Sequence, residues 1–164
     1  MTRNAGDLTA LSQGHNRAED LEDLALGDDY ALNPAYIDMV VEAADRGDAV
    51  RLRELIDALR PADVADLMGF LSAEYRYELL AFIAPEALAE ILSELDYHIR
   101  EDVLEKVAPA VLVRALEELD SDDAADLVED LEDDKRDEVL AAMSEADRTS
   151  IQTSLAYGEE SAGR

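Results

Sequence analysis

The chain has 164 residues, 48% of them apolar, with a formal net charge of −27 from 41 acids against 14 Lys and Arg. That is enough apolar matter for one ordinary domain with a core, and enough negative charge to repel nucleic acid and anionic lipid. There is no Cys, which excludes disulfides and thiolate metal sites, and no stretch nears the ~20 apolar residues that span a bilayer.

The N-terminus, MTRNAGDLTALSQGH, lacks an apolar signal-peptide core, so the chain reads as soluble and intracellular. Residues 1–33 mix Gly, Asn, Asp and Ser with a short LEDLAL cluster and read as a mobile tail with one transient helix. Pro34 then opens a helix with Ile37, Val40, Val41 and Ala44 on one side. Gly47-Asp48 breaks it before Val50, Leu52, Leu55 and Ile56 resume the apolar pattern.

From Leu59 onward the chain keeps a twelve-residue beat: Leu59, Leu71, Ile83, Leu95, Val107, Leu119, Leu131 and Met143. Two further apolar series run through Leu67, Leu79, Ile91, Val103, Ala115, Leu127, Val139 and Ile151, and through Met68, Leu80, Leu92, Leu104, Leu116, Val128 and Leu140. Offsets of eight, nine and twelve fall on one helical face. Pro61, Pro85 and Pro109, 24 residues apart, suit first helical positions, and Ser72, Asp96 and Ser144 suit N-caps.

Alternate units carry Arg76, Arg100 and Arg136 where the others carry Val64, Leu88 and Leu112. The unit is therefore a helix pair of 24 residues, although Ala124 puts two helices of the first kind in succession. Residues 59–83 also align without gaps to 119–143. Helices this short bury a stripe only by stacking, so the expected fold is all-α, a superhelical array of armadillo-like repeats with about 12 residues per helix.

Catalytic chemistry is not visible. His98 aligns with surface-type positions, His15 lies in the tail, no Ser sits in a nucleophile elbow, and the seven Gly residues form no phosphate loop. Tyr75, Tyr77 and Tyr97 follow turns and read as anchors of helix starts. The chain is not expected to be an enzyme.

From Glu117 to Asp134 there are 11 acids in 18 residues and no base. On a helix capped by Ser121, Ala124, Leu127, Val128 and Leu131 face inward while Asp122, Asp126 and Glu129 face outward. Asp122 and Asp126 are one turn apart, so both can reach a single hydrated cation. Carboxylates without Cys or His suit Mg²⁺ or Ca²⁺, and no EF-hand loop is present. Spacing alone leaves two readings open, a solvated acidic face and half of a cation site.

The motifs LRPADVADLMGFL, APEALAEILSEL and LDSDDAADLVEDL, in that order, resemble the cytosolic N-terminal domain of the MgtE family of magnesium transporters. AYGEESAGR (156–164) resembles the family's junction into a pair of CBS domains. The resemblance covers roughly residues 36–164. Beyond the mobile tail at 1–33, it implies a helical repeat domain at 34–157 and the start of a linker at 158–164.

It further implies a regulatory, Mg²⁺-sensing domain on the cytoplasmic side of the membrane in a homodimeric Mg²⁺ channel. The implied partners are the CBS and transmembrane domains of the same full-length polypeptide. Mg²⁺ would bridge N and CBS domains to favour the closed state, and the isolated domain would bind it weakly or not at all. Glu90, Asp122 and Asp126 fall on the family's acidic positions. The competing reading is a metal-independent helical scaffold similar to the middle domain of flagellar rotor switch proteins. An acidic mimic of nucleic acid is a third.

Overall fold

In the computed structural model the described residues are 19–162. They are helical throughout apart from short links and one isolated antiparallel bridge, Leu26 to Leu32. The helices are α1 (19–25), α2 (Pro34–Asp45), α3 (Ala49–Asp57), α4 (Pro61–Phe70), α5 (Ala73–Leu80), α6 (Pro85–Glu94), α7 (Tyr97–Lys106), α8 (Pro109–Glu117), α9 (Ser121–Glu129), α10 (Asp133–Ala142) and α11 (Glu145–Ala162). Alternate helices stack: α4 on α6, α6 on α8, α8 on α10, with α5 on α7 and α9 on α11 beside them. This is the expected all-α array of paired short helices.

The twelve-residue series divides into two structural roles. Leu67, Met68, Leu79, Ile91, Leu92, Val103 and Leu104 lie inside helices and are buried. The beat residues Leu71, Leu95, Val107 and Met143 are C-caps with extended backbone, so they lie in the links and not on a helical face. They plug the core from the corners, each 4–6% exposed. Each of these four links is two residues long, and one of the two is itself a core side chain.

Pro34, Pro61, Pro85 and Pro109 each open a helix, where no backbone N–H is needed. Asp96 accepts from His98 N–H at 3.2 Å and Ser144 Oγ accepts from Asp147 N–H at 3.2 Å, as caps do. Ser72 occupies its N-cap position without a side-chain bond. Ser121 is the first helical residue of α9; Asp120 precedes it as N-cap and makes no side-chain bond, so the expected Ser121 cap is absent. Gly47 ends α2 at φ +64°, a left-handed conformation that favours glycine.

Three stretches depart from expectation. Residues 19–33 are packed: Leu21, Ala25 and Leu32 belong to the same buried cluster as α2 and α3, and Asn33 N–H donates to Ala25 C=O at 2.7 Å. LEDLAL supplies part of that apolar contact. Residues 1–18, with His15, lie outside the described residues. At the other end, 158–162 continue α11 as helix. Val50 is 73% exposed, because α3 buries Leu52, Leu55 and Ile56 on a face that excludes it.

Tyr75 and Tyr77 are cross-helix struts and not anchors of their own helix start. Tyr75 Oη donates to Asp45 Oδ1 and Tyr77 Oη to Asp102 Oδ1, both at 2.6 Å. Each hydrogen bond raises the phenol's pKa, helped by burial and by the same carboxylate's charge. Tyr97 is half-exposed with its ring edge against His98, which faces solvent as expected.

Candidate functional site

α9 puts Ala124, Ala125, Leu127 and Val128 into the core. At 100° per residue that leaves Asp122, Asp126 and Glu129 on the outer side, and all three are exposed. They do not face open solvent alone. α11 lies along α9, fixed by Ile151 in the core and Leu155 against it. Between the two helices runs a cleft of about 460 Å³. Asp122, Asp126 and Glu129 line one wall; Tyr157, Gly158 and Glu159 are among the residues of the other.

No basic group among the described residues lies within ion-pair distance of Asp122, Asp126 or Glu129. The nearby bases are committed elsewhere. Arg136 Nε donates to Val128 C=O at 3.1 Å, and its Nη2 donates to Glu129 C=O at 2.9 Å and Leu131 C=O at 3.1 Å. That places a cation at the C-terminus of α9, where the helix dipole favours it. Lys135 Nζ donates to Glu105 C=O at 2.6 Å, and burial lowers its pKa against the pull of Glu105, Glu138 and Glu132.

Of the three sequence-derived candidates, the fold brings Asp122 and Asp126 together on one cleft wall. Glu90 is exposed on α6 and does not line that cleft. Glu159 and Tyr157 join the cleft through the fold and not through a motif of their own legible in the sequence. The signal was present in Ile151 and Leu155, whose i, i+4 spacing carries the helix into what reads as a linker.

The donor set is carboxylate oxygen, which suits a hard divalent cation. Among the described residues no three acidic or His side chains converge closely enough to hold one. An ion held by Asp122 and Asp126 would have to take its remaining ligands from water or from oxygens of another surface. No helix among the described residues is long and apolar enough to cross a membrane.

The family model described as the MgtE intracellular N domain matches residues 59–160. The fold is also similar to two solved structures. One is the soluble part of a magnesium transporter, at 22% identity and a TM-score of 0.64, covering 75% of this chain and 49% of that one. The other is the cytosolic domain of the Mg²⁺ channel MgtE in complex with ATP, at 28% identity and a TM-score of 0.63, covering 71% of this chain and 48% of that one. The chain thus spans about half the length of either. No curated protein matches by sequence.

Proposed function

The chain belongs to the MgtE intracellular N domain family, and on that premise we propose that it is the cytosolic regulatory domain of a magnesium channel. In this reading Mg²⁺ bridges its acidic face to a pair of CBS domains in the same polypeptide. The bridged, compact state is the closed one, the whole protein is a homodimer, and the domain lies on the cytoplasmic side of the membrane. Asp122 and Asp126 supply the N-domain oxygens of one bridge, and Glu90 supplies another from α6.

The observation that supports this best is the pairing of Asp122 and Asp126, exposed on one cleft wall without a basic partner. Two like charges one turn apart destabilise a helix by a few tenths of a kcal/mol. A cation that neutralises both removes that cost, and one that also takes oxygens from the CBS surface binds best where the two surfaces meet, which ties occupancy to compaction.

Small-angle scattering on the polypeptide extended through the CBS pair tests the proposal. Millimolar Mg²⁺ should shrink its radius of gyration, and Asp122→Ala with Asp126→Ala should abolish the change. A wild-type radius insensitive to Mg²⁺ would sink the bridging role and favour a metal-independent docking scaffold.

A further inference from the structure

Arg76 and Arg100 occupy the same position of α5 and α7, one 24-residue repeat apart, yet they choose different partners. Arg76 Nη1 lies 3.2 Å from Asp102 Oδ2 on α7. The repeat-equivalent partner for Arg100 is Asp126, 24 residues after Asp102. Arg100 Nε instead lies 2.8 Å from Asp130 Oδ2, one helical turn beyond Asp126.

The broken alternation explains the change. α9 carries Ala124 where α5 and α7 carry an arginine, and Ala124 is 1% exposed. The buried face of α9 therefore includes this position, whereas Arg76 and Arg100 are only half-buried at theirs. With α9 set on that face, Asp130 meets α7 and Asp126 lines the cleft with α11. Arg100 Nε and Asp130 Oδ2 are both buried and neither has an aligned hydrogen bond. Charge and confinement hold the pair, and no directional bond fixes it.

We infer that Asp130 is a positioning residue: it occupies Arg100 and so keeps Asp126 free for a cation. Residues four apart on a helix are neighbours, so an Arg100 released from Asp130 has Asp126 as its nearest alternative on the same helix. The consequence for the bridge rests on the function proposed above. The exchange of arginine partners does not, and it can be measured without divalent ions.

Thermal unfolding of the 164-residue chain in EDTA decides the exchange. Asp126→Asn in the wild-type background should leave the Tm unchanged or raise it, because only like charge is lost. In the Asp130→Asn background the same substitution should lower the Tm by about 1–3 °C, because it removes the new partner of Arg100. The same sign in both backgrounds overturns the inference. Asp130→Glu, which still holds Arg100, should behave as wild type toward Asp126→Asn; a reversed sign there also overturns it.

In the polypeptide extended through the CBS pair, Asp130→Asn should raise the Mg²⁺ midpoint of compaction about threefold or more. Adding Arg100→Gln should restore it, a rescue that general loss of packing does not give. A double variant as impaired as Asp130→Asn sinks the role of Asp130. A wild type without any Mg²⁺ response sinks the bridging reading and the role built on it, and the Tm signs in EDTA still decide the exchange.

Discussion

Residues 34–60 and 117–138 are both built of short helices on one continuous core, but they handle charge differently. The first stretch carries six acids and four arginines; the second carries 13 acids, one Lys and one Arg. In the first, arginines meet carboxylates, with Arg46–Glu42 at 2.6 Å, Arg51–Glu54 at 3.4 Å and Arg60–Asp63 at 2.9 Å. In the second, every hydrogen bond of Lys135 and Arg136 goes to a backbone carbonyl, and the one ion pair within it, Arg136–Asp133, is loose at 3.7 Å. Its own bases hold corners, and of its acids Asp130 alone meets a cation closely, Arg100 from outside the stretch. The acidic stretch therefore folds mainly on apolar burial, and mobile ions must balance most of its charge.

The largest test of that contrast removes core from each side. Leu55→Ala should cost about 2–5 kcal/mol, and Val128→Ala somewhat less because fewer atoms are deleted. Both residues are 0% exposed. Urea unfolding reads the two costs; a negligible loss for Val128→Ala would mean that burial is not what holds the acidic stretch.

A smaller effect belongs to the first region alone. Tyr36, 1% exposed, donates from Oη to Leu55 C=O at 2.6 Å. Tyr36→Phe leaves that buried acceptor unpaired and should cost about 1–3 kcal/mol. Burial pushes the phenol up to about 12 from its ordinary 10.0, against a smaller opposing pull from Arg51. The folded state thus keeps a proton that the unfolded state loses first. Its contribution is full below pH 10 and falls as pH rises toward 12, a slope that Tyr36→Phe should flatten.

The smallest effect sharpens the second region. Asp126→Asn, in EDTA and low salt, should stabilise the chain by a few tenths of a kcal/mol. It relieves repulsion from Asp122, and Asp126 lies beyond the first turn of α9, the turn where the helix dipole favours a carboxylate. The gain should vanish in 1 M KCl, where the screening length is about 3 Å. A loss of stability at low salt would mean that Asp126 has a favourable partner in the fold.

Part of the cleft could be read from the chain. Asp122 and Asp126 were separable from the surrounding charge because Ala124, Leu127 and Val128 fix which side of α9 is inside. The opposite wall was hidden because GEES is too polar to announce a helix, and only Ile151 and Leu155 upstream hold α11 on the body. Residues 19–33 read as a mobile tail for a related reason. Three apolar side chains, Leu21, Ala25 and Leu32, suffice to dock them when a preformed core is present, yet they are too sparse to set a period.

By itself the sequence determined the helix count per repeat, the prolines that open helices and the identity of the core, because a 3.6-residue period and a fixed φ at proline are local constraints. Only the tertiary structure decided that the beat residues lie in the links, that α11 walls the cleft, and that Arg100 meets Asp130 and not Asp126. These depend on how one helix is rotated against the next. That rotation is set by the summed packing of residues far apart in the chain, which no single repeat contains.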